Sequence, residues 1–246
     1  MRPAIQLYTL REQLDSDFRG TINRLSKLEC PFVETAGLHG LDAQDFRSCL
    51  DDTGLVAISS HVSLEDLETR QALTVSQARV LGVKWLVVPW VGPEIIGEGW
   101  DKLAHRLNKL SVDLLRQGLK LAYHNHDFEF RATAGTTGFE TLCNTAEETV
   151  ELELDLYWCH VAAHDPVEVL QQLAGRVPLT HFKDGTNGTF MPVGQGSLDW
   201  APIVQAAKTV GVEYAIVELD ESPYDPVDCV AQSLDHLQSL GAFASN

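Results

Sequence analysis

Apolar runs of strand length alternate with longer amphipathic segments from one end of this chain to the other. The eight runs that we predict as β-strands lie at about 3–8, 32–35, 55–61, 83–90, 119–125, 150–156, 178–183 and 212–218. Helical spacing of apolar residues marks the stretches between them, such as 64–81, 100–117 and 199–210. Eight strands that are mostly followed by helices predict a closed (β/α)8 barrel, an α/β fold in a single domain spanning residues 1–246. A doubly wound open sheet is the alternative, but the glycine-rich phosphate loop that such sheets often carry is absent.

Four glycines mark the predicted junctions between helices and strands. Gly54, Gly82, Gly118 and Gly211 each follow a helical segment and directly precede an apolar run. Glycine readily adopts the left-handed conformation that commonly ends a helix, so this recurring junction supports the division into strand and helix units. With 246 residues, of which 44% are hydrophobic, the chain can bury one sizeable core.

The charge balance excludes several classes of partner. The 18 Lys and Arg residues against 35 Asp and Glu residues give a formal net charge of −17. A surface this acidic repels phosphate groups, so neither nucleic acids nor anionic membranes are expected as partners.

Five cysteines without a CxxC pair indicate neither a zinc knuckle nor a disulfide framework. The first residues lack the apolar stretch of a signal peptide and no 18-residue apolar run occurs, so we expect a cytoplasmic protein.

Four of the apolar runs end on a side chain of a type that binds metal ions: His124, Asp155, His181 and Glu218. These residues lie 31, 26 and 37 positions apart, close to the length of one strand–helix unit. In a barrel of parallel strands, active groups gather at the carboxyl ends of the strands. Imidazole nitrogens and carboxylate oxygens together suit Mn, Zn, Co or Fe, and Mg where oxygen ligands predominate. We therefore predict that these four residues hold one divalent cation at the barrel mouth.

Two further histidines fall near the same end of the predicted barrel. His126 lies two residues beyond His124, so on a strand the two side chains point to the same side. We predict that His126 contacts substrate, with direct metal ligation or proton transfer as alternatives. His61 ends the third predicted strand, where it faces the mouth as a substrate contact or is a buried structural histidine.

Charged side chains also follow the second and seventh predicted strands. Glu34 stands where a residue would contact a substrate hydroxyl or act as a base, although it could equally pair with a cation such as Arg11. Lys183, two residues past His181, could neutralise an oxyanion or pair with Asp184. We predict substrate contacts for both Glu34 and Lys183.

Aromatic side chains near the predicted mouth could form an apolar wall against the non-polar faces of a sugar. They are Tyr8, Trp90, Trp158 and Phe190. Each could equally be an ordinary core residue. We predict substrate contacts for Trp90 and Trp158.

Seven short motifs follow one another along nearly the whole chain. They are QLYTLR at 6–11, SSHVS at 59–63, GVKWLVVPW at 82–90, YHNHDFEF at 123–130, ELDLYW at 153–158, HFKDG at 181–185 and VGQGSLDW at 193–200. In this order and spacing they resemble the sugar phosphate isomerase/epimerase family, part of the xylose-isomerase-like TIM barrel superfamily. The resemblance implies a cation site at His124, Asp155, His181 and Glu218, and an enzyme of carbohydrate metabolism.

One position departs from the pattern of the family that the chain resembles. The fifth-strand ligand is usually Glu in the ketose epimerases, which are thought to pass protons with a pair of metal-bound glutamates, whereas this chain has His124 and keeps only Glu218. With histidine at this position, the chain resembles inosose dehydratase-like and keto-glycoside lyase-like members, which remove a group β to a carbonyl. The apurinic endonuclease branch of the superfamily would need more zinc ligands and a basic DNA surface, and the net charge of −17 argues against it.

The reaction that we predict is proton abstraction beside a carbonyl of a sugar or cyclitol, through an enediolate that a divalent cation stabilises. Glu218, His124 and His126 are the candidate bases, and Lys183 or His61 could assist a leaving oxygen. Return of the proton gives isomerisation or epimerisation, whereas expulsion of the β group gives dehydration or lyase cleavage. A non-catalytic sugar-binding barrel is the alternative of another class. The expected partner is a small-molecule sugar or cyclitol, and a homodimer is left open.

Overall fold

In the computed structural model, which describes residues 1–133 and 135–243, eight parallel strands form a closed barrel. The strands β1 to β8 are Arg2–Gln6, Phe32–Ala36, Val56–His61, Trp85–Val88, Lys120–His124, Val150–Asp155, Leu179–Phe182 and Tyr214–Val217. Each strand pairs with the next one in the chain, and β8 pairs with β1. The predicted (β/α)8 barrel is therefore confirmed, and closure of the sheet excludes the open-sheet alternative.

Helices surround the barrel on its outside. Within the described residues, α1 to α12 are Arg11–Ser16, Phe18–Leu25, Ala43–Thr53, Leu64–Thr69, Gln71–Leu81, Pro93–Glu98, Trp100–Leu115, Gly138–Thr145, Leu156–Val161, Pro166–Gln172, Trp200–Val210 and Pro226–Ser239. The predicted helical stretch 64–81 is divided into α4 and α5, since Arg70 between them has a non-helical backbone with φ −130° and ψ 27°. None of these helices combines the length and the apolar character that crossing a bilayer requires.

The predicted junction glycines all adopt the left-handed conformation. The φ angles of Gly54, Gly82, Gly118 and Gly211 lie between 76° and 89°. Three of them directly follow the last residue of a helix, at the ends of α3, α5 and α11. This backbone conformation strains residues that carry a Cβ atom, so the glycines end their helices at the predicted places.

The barrel interior changes from apolar to polar along its axis. At the amino ends of the strands, the rings of Trp85 and Tyr214 pack together and are at most 6% exposed. Aromatic side chains bury large areas, so these rings contribute strongly to the stability of this end. Toward the carboxyl ends, the buried interior side chains are polar or charged, and Glu34, Glu153 and His181 are completely buried. The fold therefore closes the amino end and concentrates chemically active groups at the other.

The glycine-rich segment after β7 is held by one buried carboxylate. It begins with a two-stranded hairpin in which Asp184–Thr186 pairs with Thr189–Met191. The carboxylate of Asp184 accepts hydrogen bonds from the Trp200 indole at 2.7 Å and from five backbone N–H groups at 2.8 to 3.4 Å, those of Gly185, Gly194, Gly196, Ser197 and Leu198. Asp184 therefore fixes the loop.

Candidate metal centre

The four predicted metal ligands lie near the carboxyl ends of four strands that are consecutive in the barrel. His124 and Asp155 are the last residues of β5 and β6. His181 is the third residue of β7, and Glu218 directly follows β8. All four side chains belong to residues that are at most 4% exposed. The strand order thus brings the four residues to one end of the barrel, and the side-chain contacts divide them between two clusters.

Asp155, His181 and Glu218, which we call the upper group, are close enough to share one ion. One potential ligand atom from each lies within 4.8 Å of the others. Nδ1 of His181 is 2.8 Å from Oε2 of Glu218 and 3.9 Å from Oδ2 of Asp155. That Oδ2 atom is buried without a hydrogen-bond partner in the described chain. Nζ of Lys183 lies 3.2 Å from this oxygen and is the cationic group nearest to it in the folded chain. Two carboxylates and one imidazole within 4.8 Å of one another are also a donor set that fits a divalent cation.

His61, His124, Glu153 and His181 form a second cluster, which we call the lower group, and its potential ligand atoms also lie within 4.8 Å of one another. Oε2 of Glu153 is 2.7 Å from Nε2 of His61 and 3.3 Å from Nδ1 of His124. Glu153 lies two residues before Asp155 on β6, so both side chains point to the same face of the strand. The lower group is therefore one layer nearer to the amino end of the barrel.

His181 belongs to both groups, and His124 belongs to the lower one. Nδ1 of His181 faces Glu218, whereas its Nε2 lies 3.2 Å from Oε2 of Glu153. The ring centroids of His124 and His181 are 4.5 Å apart. A role for His124 as a ligand within the upper group stays a prediction.

Lys183 connects the upper group to a carboxylate that the sequence analysis did not select, Asp220. Its Nζ atom lies 2.7 Å from Oε2 of Glu218, 3.2 Å from Oδ2 of Asp155 and 3.0 Å from Oδ2 of Asp220. The contact with Asp155 is an ion pair by distance but lacks hydrogen-bond geometry. Burial alone would lower the pKa of Lys183, but the surrounding carboxylates raise it above its ordinary value, so the side chain stays charged. The alternative in which Lys183 pairs with Asp184 is wrong, because the Asp184 carboxylate instead accepts hydrogen bonds from the loop that follows β7 and from the Trp200 indole.

Glu34 lies in the buried layer beneath the mouth. Its Oε1 atom accepts a hydrogen bond from Nε2 of Gln6 at 2.7 Å and lies 2.8 Å from Nε2 of His181. Its other oxygen accepts a hydrogen bond from the hydroxyl of Ser59 at 2.5 Å. The alternative pairing of Glu34 with Arg11 is wrong, since Arg11 donates instead to the carbonyl of Asp220. A substrate contact for Glu34 stays a prediction.

The buried histidines fall into two electrostatic classes. Burial alone would lower the pKa of His61, but Glu34 and Glu153 raise it to about 10. His181 behaves similarly, because Glu153 and Glu218 raise its pKa well above the usual value against the effect of burial. Burial and neighbouring cationic groups instead lower the pKa of His124 and bring that of His126 to about 4. His124 and His126 are therefore neutral at pH 7 and can donate a lone pair to a metal or a proton.

A pocket of about 460 Å³ opens above these groups at the carboxyl ends of the strands. The residues that line it include His61, His124, His126, Lys183, Glu218 and Asp220. Tyr8 and Trp90 form part of its rim, and Trp90 is 53% exposed. Trp158 lies outside this lining, with its ring centroid 5.6 Å from that of His126. The pocket joins charged groups to accessible aromatic faces, a combination that suits a small polar ligand with apolar faces.

The sequence analysis missed Glu153, Asp220 and Glu129 as parts of this region. Glu153 carried a detectable signal, because Glu151, Glu153 and Asp155 alternate along one strand and must share a face. Glu129 is buried and accepts hydrogen bonds from the Tyr123 hydroxyl at 2.8 Å and the backbone N–H of His126 at 2.9 Å. It therefore supports the segment that carries His126, a role that no local pattern indicates.

The arrangement can be compared with known proteins. A family model described as "xylose isomerase-like TIM barrel" matches residues 22–240, which is most of the chain. The chain belongs to the xylose isomerase-like TIM barrel family. The resemblance drawn from the seven motifs is thereby confirmed at the level of the superfamily.

One relative of this xylose isomerase-like barrel is the inosose dehydratase of Salmonella agona (strain SL483), which is 26% identical over 179 residues. The match covers 60% of this chain and 56% of the dehydratase. The chain thus spans about half the length of the curated relatives that it matches.

Among solved structures, a sugar phosphate isomerase/epimerase from Parabacteroides distasonis ATCC 8503 has a TM-score of 0.85 at 22% identity, covering 97% of this chain and 98% of that one. The IOLI protein, solved with a binding zinc atom, has a TM-score of 0.73 at 16% identity, covering 100% of both chains. At these identities the structural likeness establishes the fold.

Proposed function

We propose that the chain is a metal-dependent enzyme that abstracts a proton beside a carbonyl of a sugar or cyclitol and proceeds through an enediolate. The observation that carries the proposal is that Glu218 of the upper group, His126 and Lys183 together line one pocket at the carboxyl ends of the strands. Active sites of (β/α)8 barrels lie at that end. The names of the relatives, an inosose dehydratase and a sugar phosphate isomerase/epimerase, support a carbohydrate substrate.

The upper group would hold a divalent cation, with His124 as the fourth ligand that the resemblance implies. Two carboxylates and an imidazole suit Mn, Zn or Co, and Mg is the alternative if water completes the coordination. The Oδ2 atom of Asp155, which accepts no hydrogen bond from the described residues, supports this role, as does the zinc bound by the IOLI protein. When bound, such a cation polarises the substrate carbonyl and stabilises negative charge on its oxygen.

We assign proton abstraction to His126. Its ring lines the pocket, and its Nδ1 atom has no hydrogen-bond partner among the described residues. Burial, followed by the charge of Lys183, brings its pKa to about 4, so the imidazole is neutral at pH 7 and its lone pair is unprotonated. Glu218 and His124 are the alternative bases, but Glu218 already contacts Lys183 and His181 within 2.8 Å.

Lys183 would orient the substrate and stabilise the developing oxyanion. Its charged Nζ atom lines the pocket beside Glu218. A fixed cationic donor in a water-poor site stabilises such an oxygen more strongly than water does. The exposed face of Trp90 and the neighbouring Tyr8 would pack against the apolar faces of the sugar ring.

A dehydratase or lyase of the inosose dehydratase or keto-glycoside lyase type is the second candidate. It shares the first proton abstraction and then expels the group β to the carbonyl. The inosose dehydratase relatives favour it, together with the histidine in place of the usual fifth-strand glutamate. His61 or Lys183 would then assist the leaving oxygen, since both line the pocket.

Deuterium exchange tests the shared step. The protein, loaded with Mn²⁺ or Zn²⁺, is incubated with a panel of keto-sugars and inososes in heavy water, and the products are followed by NMR. We expect deuterium at the α carbon of at least one compound, and exchange slower by about 100-fold or more in His126→Asn. His105→Asn is the matched control, because His105 is exposed on α7. New unsaturation would identify the dehydratase or lyase outcome, whereas sugar binding without exchange across the panel would contradict the proposal and favour the sugar-binding barrel.

A further inference from the structure

We propose that a second, smaller pocket beside the barrel mouth, which we call the side pocket, binds a neutral second sugar ring, so that the substrate is a keto-disaccharide. This inference rests on the proposed function for the ring that carries the carbonyl, and it narrows the substrate class. The side pocket has a volume of about 190 Å³. The residues that line it include Thr9, Arg11, Gln13, Asp220, Ser222 and Tyr224.

The side pocket adjoins the pocket that contains Lys183 and Glu218. Asp220 lines both pockets, and its two carboxylate oxygens accept hydrogen bonds from Nζ of Lys183 at 3.0 and 3.1 Å. Cζ of Arg11, in the side pocket, lies 4.3 Å from the ring centroid of Tyr8, which lines the larger one. Both pockets therefore open at the carboxyl ends of the strands, and a ligand bound beside Lys183 has the side pocket next to it.

Arg11 offers fixed hydrogen-bond donors to the side pocket. Its Nη1 group donates to the backbone carbonyls of Asp220 at 2.8 Å and Tyr8 at 3.0 Å, and the Tyr8 ring stacks against the guanidinium. A guanidinium carries five N–H groups, and within the described residues those on Nε and Nη2 donate no hydrogen bond. Because the side chain is already held in place, it loses little conformational freedom when a ligand hydroxyl accepts from it.

Tyr224 supplies an accessible aromatic face. The residue is 43% exposed, and its hydroxyl donates to Oε1 of Gln232 at 2.9 Å. This hydrogen bond holds the ring at the edge of the side pocket. An aromatic face beside several polar groups suits a ring that has apolar faces and hydroxyls around its edge.

The charge of the side pocket favours a neutral ring over a phosphate or a carboxylate. Glu12, Asp220 and Glu221 place three carboxylates in its lining, against one cationic side chain, Arg11, among the described residues there. The chain as a whole carries a formal net charge of −17. Carboxylates repel an anionic group but accept hydrogen bonds from hydroxyls, so a polyhydroxylated neutral ring matches this lining.

Titration calorimetry with matched sugars tests the inference. The Mn²⁺-loaded protein is titrated with a hexopyranose that carries one keto group, and with a panel of disaccharides in which that ring is joined to an unmodified hexose. We expect at least one disaccharide to bind at least about 10-fold more tightly than the monosaccharide, the gain of one or two hydrogen bonds. Tyr224→Ala and Arg11→Met should each bring this ratio close to one. Leu115→Ala and Arg116→Met are the matched controls and should keep the wild-type ratio, because both residues are exposed at the end of α7.

The other outcomes overturn the inference or separate it from the proposed function. Equal affinity of the wild type for the monosaccharide and every disaccharide would overturn the side pocket, as would a ratio that both variants leave unchanged. A keto-sugar phosphate that binds more tightly than the keto-sugar, with the gain lost in Arg11→Met, would show an anion site instead and contradict the proposal. Deuterium exchange in heavy water reports the chemistry separately. A disaccharide preference without exchange would support the side pocket and contradict the proposed function, whereas exchange without that preference would do the reverse.

Discussion

Nδ1 of His181 lies 2.8 Å from Oε2 of Glu218, and this contact joins β7 to the end of β8 inside the barrel. The opposite nitrogen of the same ring lies 2.8 Å from Glu34 on β2. Because carboxylates flank both nitrogens, the ring is held in one orientation with Nδ1 toward the upper group. The ring orientation that a cation would need is therefore present in the folded chain.

Removal of either partner in this contact should remove the upper cation. We expect His181→Ala and Glu218→Ala each to lower the metal content by one equivalent per chain while unfolding remains cooperative. The reason is that each variant removes one ligand of the upper group, so the ligands that remain bind a cation much more weakly. Elemental analysis and thermal unfolding check this, with His105→Ala as the surface control. Unchanged metal content in both folded variants would remove these residues from the site.

Removal of the Lys183 charge should affect cation binding and turnover in opposite directions. The ammonium group contacts Glu218 and Asp155, so it repels a cation placed between them. Charges about 4 Å apart interact by about 4 kcal/mol at an effective dielectric constant of 20. We therefore expect Lys183→Met to bind Mn²⁺ at least about 10-fold more tightly and to turn over about 100-fold more slowly.

Titration calorimetry and steady-state kinetics measure the two effects of this change. Lys109→Met is the control, since Lys109 is exposed on α7. Weaker Mn²⁺ binding by Lys183→Met would show instead that the lysine organises the carboxylates.

Glu129 should make the protein less stable as the pH rises from about 4.5 to 7. Burial raises the pKa of Glu129 to about 7, so the native state favours the protonated form more than the unfolded state does. The resulting stabilisation is fully present below the unfolded pKa and is lost as the pH rises through the folded one. This difference between the pKa values of Glu129 in the unfolded and folded states corresponds to a change on the order of 3 kcal/mol in the free energy of unfolding.

Glu129→Gln should remove this component, because the amide does not titrate. Chemical denaturation at pH 5 and pH 8 measures the change in each protein. We expect the free energy of unfolding to fall more from pH 5 to pH 8 for the wild type than for the variant. Equal changes in the two proteins would contradict the role of Glu129.

Asp184→Asn should loosen the loop after β7 and lower the free energy of unfolding by about 2–3 kcal/mol. The wild-type carboxylate accepts hydrogen bonds from five backbone N–H groups and the Trp200 indole, and an amide cannot accept all of them. Denaturant unfolding and tryptophan fluorescence follow the change. Asp199→Asn is the matched control, because Asp199 is an exposed loop residue whose side chain makes no capping hydrogen bond. Equal stability of the two variants would contradict the role of Asp184.

The barrel and the strand-end positions of its polar residues follow from local patterns. Strands of limited length, glycine junctions and a regular strand–helix repeat predict closure, and closure brings His124, Asp155, His181 and Glu218 to one end. These are properties of the backbone, which a periodic sequence largely determines. Alternation within β6 could also have indicated Glu153.

The division of these residues between two clusters depends on side-chain contacts that spacing does not encode. His124 approaches Glu153 because of its ring orientation, and His181 contacts different carboxylates through its two nitrogens. Lys183 reaches past its neighbour Asp184 to Asp220, 37 residues away. Such contacts are set by packing across several strands, so the linear order of residues leaves them undetermined.

The packing of the Trp85 and Tyr214 rings at the amino end of the barrel has a kinetic consequence. Trp85 and Tyr214 fill the barrel axis below the buried polar layer, so in the described part of the chain the interior is reached from the carboxyl end. Reactant and product must then exchange through a single mouth. In the proposed enzyme, each would exclude the other while it is bound, so product would be a competitive inhibitor whose departure has to precede the next catalytic cycle.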